Sequence, residues 1–145
     1  MEKINRSALL PYTPQEMFVL VSDIESYPDF LPWCTGTRVL SREYDEVRAR
    51  IDFSVSGMTR SFTTRNRHQV NKMIEIQLVE GLFSRLTGCW QFEPLGEEGC
   101  KISLFLEYDF SSRMLGMVIG PVFSQIANTL VDSFQKRAIE VYGPR

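Results

Sequence analysis

Arg60, Thr64, Asn66 and His68 stand at alternate positions in a stretch that also carries Met58 and Phe62 in the same phase. In an extended strand all six share one face, and the chemistry they offer is hydrogen bonding inside an apolar surround. A buried polar group without a partner costs about 1–3 kcal/mol. Such a face therefore calls for a bound ligand, for water, or for a strand end that runs past the core. The opposite phase turns Thr63, Arg65 and Arg67 inward, and a bulge would mix the two. Tyr108 adds a further inward polar group. Acid–base and metal chemistry have little to work with. His68 is the only histidine, so no metal-ligand cluster can form around it. There is no G-x-S-x-G, no glycine-rich phosphate loop and no Cys/His pairing. An enzyme would need a positioned acid or base, with Arg60, His68 and Tyr108 the available groups. The reading is a non-enzymatic protein with no catalytic residue, no metal and no required cofactor.

Three other sets of residues invite a role. Phe53, Phe62, Trp90, Phe92, Leu104, Leu106, Val122 and Ile126 point inward by period, to line a ligand cavity or to fill a core. Leu82 and Phe83 fall in a predicted loop, and Met114, Met117 and Val118 add apolar surface nearby in the pattern. With Trp33 they form either an entrance that touches a membrane surface or a set of mutually packed side chains. Arg65, Arg67, Lys72 and Arg85 belong to a basic stretch opposed only by Glu75 and Glu80. These cations suit phosphate groups of RNA or anionic lipid, or form a solvated strand face.

The totals exclude several classes. With 43% hydrophobic and 23% charged residues the chain is of ordinary globular character, and residues 1–145 read as one domain. A formal net charge of −2 argues against a general nucleic-acid binder, and DNA is not expected as a partner. Cys34, Cys89 and Cys100 have no C-x-x-C spacing and read as small hydrophobes in a reducing compartment. The charged, alternating start Met1–Arg6 is no signal peptide, so a cytoplasmic protein is expected, with peripheral contact at an inner membrane. The eighteen positions between Arg113 and Asp132 lack charge, but Gly116, Gly120, Pro121 and several polar residues interrupt them, which argues against a spanning helix.

The elements follow from period. Residues 3–10 alternate as a strand, and Thr13-Pro14-Gln15-Glu16 starts a short helix that runs to about Ile24. The Tyr27–Trp33 segment, with two prolines, allows about one further helical turn. Residues 35–110 alternate with period two, with turns at Ser56-Gly57 and Pro94–Gly99, giving about seven strands in all. Residues 112–142 form a long helix with Leu115, Ile119, Val122, Ile126, Leu130, Phe134 and Val141 on its apolar stripe, kinked or broken at Gly120-Pro121. This order gives an α+β fold: a curved antiparallel sheet, two short helices after the first strand, and a long C-terminal helix across the concave face.

Two segments carry a family resemblance. Tyr27-Pro28-Asp29-Phe30-Leu31-Pro32-Trp33-Cys34 and the run from Glu80 through Gly88-Cys89-Trp90-Gln91-Phe92 resemble the coenzyme Q–binding protein / ribosome-association toxin RatA family of START-like domains. Phe62-Thr63-Thr64-Arg65-Asn66 is similar as well, and Leu82 stands where that family usually has proline. The resemblance implies a helix-grip (START/Bet v 1-like) fold. It also implies three functions: binding the ring and tail of ubiquinone or a similar polyprenyl lipid in support of respiration, association with the large (50S) ribosomal subunit that blocks subunit joining, or oligoketide cyclase/dehydrase chemistry.

Overall fold

The alternation that runs through most of the chain closes into one antiparallel sheet, and the apolar stripe of the last segment lies over it. The computed structural model describes residues 1–55 and 57–145, so the turn expected at Ser56-Gly57 is described only from Gly57. In chain order the elements are β1 (Glu2–Leu10), α1 (Pro14–Ser22), a 3₁₀ helix (Ile24–Asp29), β2 (Cys34–Glu43), β3 (Glu46–Val55), β4 (Met58–Gln69), β5 (Met73–Gly81), β6 (Phe83–Leu95), β7 (Gly99–Phe110) and α2 (Arg113–Tyr142). The seven strands lie in the order β1-β7-β6-β5-β4-β3-β2, so only β1 crosses over to pair out of sequence. The element order and the α+β class expected from the sequence are borne out.

Two glycines allow the close approaches this sheet makes. A Cβ on Gly88 would lie 2.1 Å from the Phe105 carbonyl oxygen of the neighbouring strand. Gly81 has φ +140°, and a Cβ there would meet the Phe62 Cβ at 2.6 Å. Register shifts at Cys34/Gly36, Val39/Ser41, Thr63/Thr64 and Phe83/Arg85 break the ladder locally, and bulges of this kind bend a strand and increase its twist.

α1 begins with a capping box: the Thr13 side chain accepts from the Glu16 amide, and Glu16 accepts from the Thr13 amide. α2 begins at Ser112, whose hydroxyl accepts from the Leu115 amide. It then runs unbroken through Gly120-Pro121, so of the kink or break expected there the break does not occur. Pro121 deprives the Met117 carbonyl of a partner, but both residues are exposed and water can serve instead. The buried row also differs from the expected stripe. Ile119, Phe123, Ala127, Val131, Phe134 and Ala138 face the core, while Leu115, Val122, Ile126 and Leu130 are half-buried and Val141 is exposed. Among the described residues α2 is the one helix long and apolar enough to cross a membrane, and here those six residues are buried instead.

The end of α2 is tied to α1. Arg145 donates to both carboxylate oxygens of Glu16 at 2.6 and 2.8 Å, and the Tyr142 hydroxyl donates to the Glu16 carbonyl at 2.9 Å. The Tyr12 hydroxyl donates to the Gly143 carbonyl at 2.7 Å, with the Arg145 guanidinium 5.1 Å from the Tyr12 ring centre. Arg145, with the Thr13 amide, holds the Glu16 carboxyl down at about 2.

Candidate functional site: an apolar cavity with a polar strand

The middle of α2 does not close fully onto the sheet. Between it, the 3₁₀ helix and strands β3 to β7 lies a cavity of about 100 Å³. Its walls are apolar: Ile24 and Leu31 near the 3₁₀ helix, Phe62, Ile74, Trp90 and Leu106 on the sheet, Phe123, Ile126 and Phe134 on α2. The polar exception is one face of β4, where Thr64, Asn66 and His68 line the space, with Ser22 from α1. No carboxylate lines it among the described residues, so an acid–base pair is not assembled there. No group of three or more potential metal ligands occurs among the described residues.

The polar face arises from register. Asn66 lies between Val47 of β3 and Ile76 of β5, and His68 lies opposite Ile74. The side chains beside Asn66 are therefore apolar, as is Ile74 beside His68, whose backbone amide donates to the Asp45 carbonyl on its other side. Asn66 is 9% exposed and its Oδ1 has no hydrogen-bond partner, nor has His68 Nε2. Burial, helped by the Arg42 charge, pushes the His68 pKa below its ordinary value and favours the neutral ring. The Phe18 ring meets it edge-on at 5.5 Å. Tyr27 also borders the cavity, its hydroxyl donating to the Val21 carbonyl and its pKa raised by burial.

The residues singled out from sequence divide as follows. Of the inward set, Phe62, Trp90, Leu106 and Ile126 line the cavity. Phe53, Phe92 and Leu104 are buried in the packed core instead, Phe53 against Phe62 and Phe92 against Phe18. Val122 is half-buried on the flank of α2 and does not reach the cavity. Of the polar set, Thr64, Asn66 and His68 line the cavity and two residues do not. Arg60 is exposed and donates to the Thr59 carbonyl, on the part of β4 that runs past the end of β5. Tyr108 is fully buried among Phe83, Phe110 and Phe123, its hydroxyl unpartnered and its pKa raised by burial. The Ser124 hydroxyl lies near enough to temper that rise but is not placed for a hydrogen bond.

The expected entrance separates too. Trp33 borders the cavity. Leu82 and Phe83 are buried, not exposed in a loop, because β6 begins at Phe83 and its ring packs on Phe62, Phe110 and Phe123. Met114 and Met117, each 73% exposed, and Val118 form an outward apolar patch on the first turns of α2.

The four cations are not one cluster. Arg65 and Arg67 adjoin on the outer face of the sheet around a shallow depression shared with Glu75 and Gln77. Arg65 is held by Glu46 at 3.9 Å and by Gln77, while Arg67 is exposed. Lys72 sits in the β4–β5 turn, and Arg85, at the opposite end of the sheet, pairs with Glu107 at 3.6 Å. Sequence reasoning passed over Arg38, Arg48 and Arg50, although their alternation with core residues of β2 and β3 was a usable signal. Register sets Arg48 beside Arg65 and Arg38 beside Arg50 on the same outer face. It also missed the contribution of Ile24, Tyr27 and Leu31, which the proline-broken segment hides from any periodicity test.

A single antiparallel sheet gripping a long C-terminal helix, with a cavity between them, defines the helix-grip class. Residues 10–135 match the family described as "Polyketide cyclase / dehydrase and lipid transport", and the chain belongs to that family. It is 41% identical over 145 residues to the ribosome association toxin RatA of Escherichia coli K12, covering 100% of this chain and 92% of that one. It is 24% identical to the mitochondrial coenzyme Q-binding protein COQ10 homolog B of Xenopus laevis, over 96% of this chain and 59% of that protein. The solution structure of the 18 kDa protein CC1736 from Caulobacter crescentus superposes with a TM-score of 0.77 at 31% identity, over 99% of this chain and 100% of that one.

Proposed function

We propose that the protein is a non-enzymatic carrier of a ring-headed apolar ligand, of the polyprenyl-quinone class that includes ubiquinone, acting in the cytoplasm and in transient contact with a membrane surface. The observation that carries this reading is Asn66, buried with an unpaired carbonyl oxygen on the wall of an otherwise apolar cavity. Unlike the Tyr108 hydroxyl, which is unpaired in the packed core, this oxygen borders a space that a ligand head with hydrogen-bonding substituents can enter. The coenzyme Q-binding name of the Xenopus relative supports the same class. Cyclase or dehydrase chemistry, which the family description allows, lacks a paired acid and base here.

Size refines the reading. An apolar cavity of roughly 150 Å³ takes up benzene, and this one measures about 100 Å³. The ring and tail together cannot be enclosed as the protein stands, so loading requires α2 to shift and leaves the tail at the cavity mouth. The test is lipid extraction with native mass spectrometry on gently purified protein from a quinone-producing host. A stoichiometric quinone, lost in Ile126→Lys with the fold intact by circular dichroism, is the expected result. Protein that stays empty after incubation with ubiquinone in mild detergent overturns the reading.

A second reading is association with the large ribosomal subunit through the outer arginine face. The Escherichia coli relative's name and the grouping of Arg38, Arg48, Arg50, Arg65 and Arg67 favour it. Arg65→Glu/Arg67→Glu should abolish co-sedimentation with that subunit in a gradient while leaving ligand loading unchanged; continued co-sedimentation rejects the role of this face.

A further inference from the structure

A quinone and its hydroquinone make opposite demands on a binding site. The oxidised ring offers two carbonyl acceptors, and the reduced ring offers two hydroxyl donors. A carrier built from fixed donors would hold one and reject the other, because each mismatched buried pair leaves a polar group unsatisfied.

The polar wall of this cavity is made of two side chains that can reverse their role without changing charge. The Asn66 amide has a carbonyl at one end and an NH₂ at the other, and a half-turn about its last bond exchanges them. The neutral His68 imidazole is a donor at one nitrogen and an acceptor at the other, and a change of tautomer exchanges those. Both sit two positions apart on one face of β4, and both line the cavity. Neither Asn66 Oδ1 nor His68 Nε2 is held by a protein partner; the sheet neighbours Val47, Ile76 and Ile74 are apolar, and Asp45, whose carbonyl accepts the His68 backbone N–H, leaves Nε2 unpaired. The charged groups that act on His68, Arg42 and Asp45, oppose each other, and burial adds to Arg42 in favouring the neutral ring that reversal requires. Thr64, whose hydroxyl can also donate or accept, completes the wall.

We propose that Asn66 and His68 form a reversible donor–acceptor pair that accepts the oxidised and reduced forms of the same ring with similar affinity. This rests on the ring-headed ligand argued above. The protein takes no part in the electron transfer; the two forms differ by two electrons and two protons exchanged elsewhere. Carriage indifferent to redox state would let one protein load the ring before or after reduction and would leave the ring's potential unchanged.

The experiment uses the full chain and a benzoquinone with a short alkyl tail, in its oxidised form and, anaerobically, as the hydroquinone. Bound and free ligand are separated by equilibrium dialysis and quantified. Trp33 and Trp90, the chain's two tryptophans, both border the cavity and give a second signal in fluorescence. The unaltered chain should bind both forms with dissociation constants within about threefold of each other, and so should His68→Gln, whose amide can still turn. Asn66→Leu/His68→Phe should weaken both forms at least tenfold while folding normally, since apolar replacements at unpaired positions are close to neutral for stability. Binding of one form ten times more tightly than the other by the unaltered chain overturns the proposal and leaves the carrier reading standing. So does a double variant that binds as the unaltered chain does. Failure of both forms to bind overturns the carrier reading and this inference with it.

Discussion

The two halves of α2 are made for different surroundings. From Phe123 to Tyr142 the helix buries Phe123, Ala127, Val131, Phe134 and Ala138, and its end is fixed to α1 through Glu16, Tyr142 and Arg145. From Arg113 to Gly120 it buries only Ile119 and turns Met114, Met117 and Val118 outward. The cavity lies along the first of these stretches, beside the junction with the second. One half supplies stability, and the other supplies apolar surface that contributes little to folding and is free for contact. Apolar residues on a helix are thus no guide by themselves to which task a segment serves; what covers them is.

The comparison is broken most severely at Phe134. Its ring is fully buried and meets Tyr27, Phe30 and Trp90 at centroid distances of 5.5, 5.2 and 5.3 Å. Phe134→Ala should lose about 3–5 kcal/mol of stability in urea unfolding; a loss below about 1 kcal/mol would mean that this half is not the anchor. A smaller loss belongs to the start of α1, against which α2 ends. Thr13→Ala removes the cap hydroxyl and should cost about 1 kcal/mol, visible as a lower urea midpoint with unchanged slope.

The Glu16–Arg145 contact sharpens the comparison through pH. The Glu16 carboxyl is lowered from 4.5 to about 2, so its contribution is complete above pH 4.5 and is lost as the pH falls from 4.5 towards 2. The gap in urea midpoint between the unaltered chain and Glu16→Gln should be constant at neutral pH and shrink over that acid window. A gap that persists unchanged at pH 2 would assign the effect to packing. The smallest stability effect is expected at the free half. Met114→Ser/Met117→Ser should stay within about 0.5 kcal/mol of the unaltered chain, yet reduce flotation with anionic lipid vesicles. Unchanged flotation would remove the membrane role from this patch.

How much of this was legible in the residues depended on whether a periodicity reports the feature. The alternation in β3, β6 and β7 and the cap at Thr13 gave the element order, because both are local. The cavity was legible only in part. Phe62, Trp90, Leu106 and Ile126 share the inward phase with Phe53, Phe92 and Leu104, and phase cannot tell a residue beside a void from one beside a ring. Asn66 and His68 were visible as polar groups in an apolar phase, but Arg60, in the same phase, lies beyond the end of β5 and is exposed, which depends on how far the neighbouring strand extends. Leu82 does lie in the bend between β5 and β6, but it is buried, and Phe83 already belongs to β6; a one-residue connection is too short to expose either. The row of α2 that is buried could not be read at all, for it is set by the partner surface.

The tie between Arg145 and Glu16 has a mechanical consequence. A 30-residue helix is about 45 Å long, so a tilt of about 10° about its fixed end displaces the other end by about 8 Å. Phe134, about 12 Å from that end, would move by about 2 Å, and Phe123, about 28 Å from it, by about 5 Å. α2 is in effect a lever with its fulcrum at α1: a small change in angle at the cavity is read out as a large excursion at Met114.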